Sequence, residues 1–196
     1  VDAILHDKIL SYEEILHLVK IFAKMGFHKI KLTGGEPLVR KGITNLVQEL
    51  KQIPGIEQVT LTTNGILLGD MMDQLAKAGI DGINLSLDTL NPLVFEKIAR
   101  RNDFDKVMKG FEKALHYPQI PLKVNCVPMG MEQQNVLELA ELARTYPVHV
   151  RFIEMMPIGL GKQFAFCSEE HLLDGLKQKY GSYIPYETTL GNGPGH

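Results

Sequence analysis

This 196-residue sequence predicts an α/β fold, a partial (βα) TIM-like barrel of parallel strands with outer helices. Three observations point there. Strand-like and helix-like segments alternate along the whole chain, and strands separated by helices make parallel βα units, hence a barrel or a doubly wound sheet. Five such strands are present, spaced too unevenly for a solenoid and with no composition break to mark a second domain. The third observation is strand parity. Parallel strands covered on both faces read as nearly continuous apolar runs, and these do not. Ile30 and Leu32, Val59 and Leu61, Ile83 and Leu85, Leu122 and Val124, and Val148 and Val150 share one face. The other face carries Lys29, Lys31 and Thr33, then Thr60, Thr62 and Asn64, then Asn84, Ser86 and Asp88, then Lys123 and Asn125, then His149 and Arg151. With helices on the apolar faces, the polar residues line the inside; an open sheet with one solvated face is the alternative. Cations turned inward imply anions to meet them, because an unpaired buried charge is costly.

Each element has its own signal. Ser11 to about Met25 reads as a helix, with Ser11 and Glu14 at capping-box spacing, an apolar stripe through Ile15, Leu16, Leu18, Val19 and Phe22, and Gly26 as its stop. A strand covers roughly His28 to Thr33, and a helix near Thr44 to Gln52 halts before Pro54-Gly55. The next strand is about Gln58 to Thr63, turned by Asn64-Gly65, and Met71 to Ala78 is a helix closed by Gly79. Gly82 to Leu87 is a strand. Asn91-Pro92 reads as an N-cap followed by proline in the first turn of a helix reaching Ala99, and a further helix runs from near Phe104 to Leu115. Strand Leu122 to Val127, helix Glu132 to Thr145, strand Val148 to Ile153 and helix Ser168 to Tyr180 complete the alternation. The tail 191–196, rich in glycine, is flexible by composition.

Composition narrows the function classes. A formal net charge of −2 and a pI near 6.4 give no overall electrostatic case for nucleic acid or an acidic membrane surface. With 44% hydrophobic and 22% charged residues the chain supports a sizeable core, and no apolar run is long enough to span a bilayer. It opens Val1-Asp2-Ala3 without an initiator Met, which suggests a piece of a longer protein. Cys126 and Cys167 stand far apart and lack metal-ligand spacing, so a disulfide framework is not expected and a reducing compartment is.

The run Lys31-Leu32-Thr33-Gly34-Gly35-Glu36-Pro37 carries the most chemistry. Two glycines let the backbone approach a ligand with no Cβ in the way, proline fixes the turn, and a carboxylate stands where it meets a cationic group. With it come Leu61-Thr62-Thr63-Asn64-Gly65, Asn84-Leu85-Ser86-Leu87-Asp88, Lys123-Val124-Asn125 and Arg151-Phe152-Ile153-Glu154 followed by Met156. In this order and spacing the chain resembles the GTP 3′,8-cyclase family (MoaA type) of radical S-adenosylmethionine enzymes, which begins molybdenum cofactor biosynthesis. The resemblance extends from about Leu10 to Pro194.

That resemblance implies a radical SAM core over 1–190, with 191–196 leading toward a C-terminal cluster segment. It implies conversion of GTP to 3′,8-cyclo-7,8-dihydroguanosine 5′-triphosphate by S-adenosylmethionine-derived radical chemistry. Gly34, Gly35, Glu36, Ser86 and Met156 match positions that hold S-adenosylmethionine; Lys31, Thr62, Lys123 and Arg151 match positions that contact GTP. Lys31 stands where arginine is expected, keeping the charge while losing the planar fork that clamps a phosphate twice. Members carry two sets of three cysteines for two 4Fe–4S clusters, and two isolated cysteines replace neither set. The chain therefore resembles the middle of the enzyme: no catalytic residue is identifiable, no cluster is expected on it, and alone it should be inactive. GTP is the implied partner, with no nucleic acid or membrane, a homodimer as an option, and a cytoplasmic location, or mitochondrial in a eukaryote. Another radical SAM enzyme of peptide-modifying or haem-pathway type, and a non-catalytic nucleotide-binding module, are the alternative readings.

Overall fold

A computed structural model of the chain describes residues 9–130, 134–156, 167–182 and 184. Five strands form one sheet whose spatial order equals their order in sequence: β1 (Lys29–Leu32), β2 (Gln58–Thr63), β3 (Gly82–Ser86), β4 (Leu122–Cys126) and β5 (Val148–Phe152). β1 pairs with β2, β2 with β3, and β4 with β5, each in parallel register. The helices are α1 (Tyr12–Lys24), α2 (Ile43–Lys51), α3 (Leu68–Ala78), α4 (Pro92–Ala99), α5 (Phe104–Leu115), α6 (Val136–Thr145) and α7 (Glu169–Tyr180). None of the described helices is long and apolar enough to cross a membrane.

The local signals act as read. Ser11 Oγ accepts from the Glu14 N–H at 3.2 Å while Glu14 Oε2 accepts from the Ser11 N–H at 2.7 Å, a reciprocal capping box. Asn91 Oδ1 accepts from the Leu93 and Val94 N–H groups, with Pro92 at the first helical position, where its missing donor costs nothing. Ser168 caps α7 through the His171 N–H. Strand parity also appears in the burial: on β2 and β4 alternate residues are buried, Val59, Leu61, Val124 and Cys126 among them.

Boundaries shift where side chains outside the helical pattern intervene. α3 begins at Leu68, three residues before the expected start, because Leu68 is itself fully buried and the turn needs no side-chain cap. β4 ends at Cys126, one residue early: the Val127 N–H leaves the ladder and donates to Asp88 Oδ1 at 2.8 Å. α6 runs from Val136, after Asn135 in the left-handed conformation that asparagine tolerates, while the expected start at Glu132 lies outside the described residues. A 3₁₀ turn, Pro37–Val39, follows the glycine pair, where the sequence predicts only a turn. The tail 191–196 lies outside the described residues.

Two compact units divide the chain, one comprising Val1–Leu85 with Asp105–Pro121, the other Ser86–Phe104 with Leu122–His196. In the first, Leu46, Leu50, Leu61, Met72, Leu75 and Phe111 are essentially sealed from solvent. There α5 and the turn after β2 approach closely: a Cβ on Gly110 would meet the Gly65 carbonyl oxygen at 2.7 Å. A Cβ on Gly65, whose φ is +83°, would meet Leu85 Cδ1 at 2.5 Å. In the second unit, Leu87, Val124, Cys126 and Leu139 form the sealed centre.

Candidate functional site

In the first unit, the loop after β1 is shaped by a glycine pair and pinned by a carboxylate. Gly34 has φ +124°, a conformation L side chains rarely adopt, and a Cβ on either Gly34 or Gly35 would stand in open space. The result is a bare, exposed ledge of backbone. Glu36 fastens it: Oε1 accepts from the Leu38 N–H at 3.0 Å and the Thr63 hydroxyl at 2.8 Å, and Oε2 accepts from the Asn64 N–H at 2.7 Å. Sequence reasoning aimed Glu36 at a cationic ligand. Three of the roughly four acceptor directions of this carboxylate are taken by protein, so it ties the ledge to the end of β2 before it can do anything else. Lys31 is exposed on β1, opposite Thr60 in register, and Thr62 lies opposite Asn84. Asn84 is buried and donates to the Leu61 carbonyl at 3.2 Å, so that member of the polar parity is a core tie.

In the second unit, Ser86 is exposed at the C-terminal end of β3. Just beyond it lies a buried hub that sequence reasoning passed over. Gln134, 1% exposed, donates from Nε2 to the Asp88 carbonyl at 2.9 Å and the Val127 carbonyl at 2.8 Å. Its Oε1 accepts from the Met129 N–H at 2.8 Å, and its own carbonyl accepts from the Thr89 hydroxyl at 2.9 Å. One side chain thus fastens the segment after β3 to the segment after β4. The Asp88 carboxyl is pushed up from the ordinary carboxylate range by burial, against the opposing effect of the Val127 N–H. Burial first, then the charges of Asp88 and Cys167, pushes the Cys126 thiol far up, so it is an inert core thiol.

β4 and β5 bring the cations together. Lys123 lies opposite His149 and Asn125 opposite Arg151, and the alternation of side chains puts all four on one face. A cavity of about 350 Å³ opens there, lined by Lys123, His149 and Arg151 together with Glu154, Cys167, Glu169 and the leucines of α7. Asn125 Oδ1 is buried and has no hydrogen-bond partner, the kind of orphan that a ligand resolves. Burial, then Lys123, then Arg151 lower the His149 pKa. The lining thus combines the cations Lys123 and Arg151 and the His149 imidazole with the carboxylates of Glu154 and Glu169. Met156 lies beyond β5, 68% exposed. Asn125 was legible as part of the polar parity and of the Lys123-Val124-Asn125 run, yet only its unsatisfied oxygen marks it for a ligand.

The residues fit one implied cofactor and not the other. In the first unit, the open backbone ledge at Gly34 and Gly35 offers bare polar backbone, suited to the zwitterionic end of an amino-acid-derived molecule such as S-adenosylmethionine. An iron–sulfur cluster needs three thiolates, and this chain has two cysteines, Cys126 being buried. No cluster of three or more candidate metal-ligating side chains occurs among the described residues.

Comparison with known proteins shows the family. Residues 3–146 match the model of the radical SAM superfamily. The chain is 42% identical over 200 residues to the GTP 3′,8-cyclase of Syntrophomonas wolfei, covering 99% of this chain and 60% of that protein. It is 45% identical over 176 residues to molybdenum cofactor biosynthesis protein 1 of Bos taurus, covering 88% of this chain and 28% of that protein. The chain therefore spans about 60% of the length of the bacterial relative. Among solved structures, methylornithine synthase (PylB) aligns with a TM-score of 0.66 at 19% identity, over 88% of this chain and 53% of that one. The [FeFe]-hydrogenase maturase HydG aligns with a TM-score of 0.64 at 17% identity, over 84% and 40%. At those identities the likeness concerns the fold alone, and the fold is the expected one: parallel strands alternating with helices in a partial TIM-like barrel.

Proposed function

We propose, from the premise that this chain belongs to the radical SAM superfamily, that it is the barrel portion of a GTP 3′,8-cyclase acting at the start of molybdenum cofactor biosynthesis. The carrying observation is the 42% identity to such a cyclase across 99% of the chain. Support for this reading comes from Lys123, His149 and Arg151 on one cavity lining beside β4 and β5, and from the open backbone ledge at Gly34 and Gly35. The superfamily uses S-adenosylmethionine and a 4Fe–4S cluster, which together supply one-electron, hydrogen-abstracting chemistry when bound. We assign two clusters to the complete enzyme, with all their cysteine ligands outside this chain.

In this reading the chain's own residues bind and orient. Backbone carbonyls at Gly34 and Gly35 and the remaining acceptor direction of Glu36 take the cofactor's ammonium group, Ser86 takes its carboxylate, and Met156 packs on the adenosyl part. Lys123 and Arg151 neutralise the triphosphate, with Asn125 as a neutral partner and Lys31 and Thr62 as further GTP contacts. Holding the ribose still while excluding water is worth several orders of magnitude in rate, and that is what a scaffold without its own redox centre contributes. Calorimetric titration with GTP, ATP and S-adenosylmethionine tests the reading. Lys123→Ala and Arg151→Ala are each expected to weaken GTP binding by roughly one to two orders of magnitude, the loss of a charged hydrogen bond. GTP affinity untouched by both substitutions overturns it.

A further inference from the structure

The β4–β5 register places a histidine among the phosphate-binding cations. His149 stands directly opposite Lys123, and strands in a sheet lie about 4.8 Å apart. Arg151 is two residues further along the same face of β5, about 6.6 Å at the usual rise. All three line the one cavity. Resting on the phosphate-binding reading above, we propose that His149 is a proton-linked contact of the triphosphate, neutral before binding and protonated once the phosphates are in place.

The charges around the ring fix the direction of the effect. From β4 it faces Lys123; from β5 and its continuation, Arg151 and Glu154; from α7 and the residues leading into it, Glu169 and Cys167. Burial and the two cations lower its affinity for a proton despite the carboxylates on the same lining. A third cation beside Lys123 and Arg151 is therefore resisted before phosphate binds. A polyphosphate carries several negative charges into that space and reverses the field at the ring. The imidazole then takes one proton from solvent and becomes a donor to a phosphate oxygen. By linkage, the gain in affinity is complete below the pKa of the unliganded ring and disappears as pH rises through the pKa of the bound one.

The test titrates the chain with inorganic tripolyphosphate and with GTP, calorimetrically, in buffers of different ionisation enthalpy. The polyphosphate's own titration is common to all variants, so differences between variants report the protein. His149→Asn is expected to remove the protein's proton uptake. Between about pH 8 and pH 6 the wild-type chain should gain about tenfold more affinity than this variant, one charged contact's worth. His149→Lys, with a permanent charge, should bind at pH 8 as tightly as the wild type does at pH 6. Proton uptake that persists in His149→Asn, or His149→Lys binding more weakly than wild type at pH 8, overturns the proposal while leaving phosphate binding intact. If the wild-type chain binds neither probe, the phosphate reading falls and this inference with it. The imidazole resonance that His149→Asn removes gives an independent check: its titration midpoint should move up on adding tripolyphosphate.

Discussion

Asp88 bears a charge that its surroundings resist. Burial outweighs the single N–H of Val127 and raises its pKa in the folded chain. A carboxyl raised above its unfolded value contributes stability that is whole below the unfolded pKa and is lost as pH rises through the folded one. Asp88→Asn keeps an acceptor for Val127 and sheds the charge. It should be the more stable protein at neutral pH, with the difference closing near pH 4, as followed by urea denaturation across pH. The cysteines should separate just as plainly: in a timed alkylation of native protein Cys126 resists the reagent, while half-exposed Cys167 reacts first. How much of this was legible differs from residue to residue. The alternation on β4 and β5 by itself puts Lys123 and Arg151 on one face. Gln134 was not legible, because it follows no period and draws its importance from three backbone groups that only the fold brings to it.

Elements are joined here by a few tight ties rather than by broad greasy faces alone. α5 approaches the turn after β2 so closely that Gly110 has no room for a methyl group, the obstacle being the Gly65 carbonyl. Gly110→Ala should cost about 1–3 kcal/mol in chemical denaturation, the usual price of overpacking against a neighbour that cannot yield. Glu36 ties the loop after β1 to β2 through the Thr63 hydroxyl and the Asn64 N–H. Glu36→Ala strands a backbone donor at part-buried Asn64, so a loss of about 1–3 kcal/mol is expected. Amide exchange should show the opening concentrated between residues 34 and 39 rather than spread over β1. At this scale the elements themselves were readable, since capping residues, glycine stops and strand alternation are local signals. The early end of β4 was not, because a long-range partner, Asp88, decides it.

For the molecule as a whole, a net charge of −2 conceals where the charges stand. Composition gives no overall electrostatic case for polyanionic partners, and it is silent about the lining of one cavity. If Lys123, His149 and Arg151 receive phosphates, tripolyphosphate at a hundred times its Kd should stabilise the chain by about 2.7 kcal/mol through mass action alone. That gain should shrink with added salt, since exposed ion contacts are screened, and should vanish in the Lys123→Ala, Arg151→Ala double variant; differential scanning fluorimetry reads both. The spatial order of the strands, identical to their order in the sequence, has a consequence of another kind. Each strand's neighbour on one side has already left the ribosome when that strand emerges, so during synthesis no strand waits for an edge still to be translated. Parallel sheets are ordinarily slow to assemble because their pairings are distant in sequence. From β2 onward this one can add strands in the order of translation, each newly made strand edge being covered by the next strand to emerge.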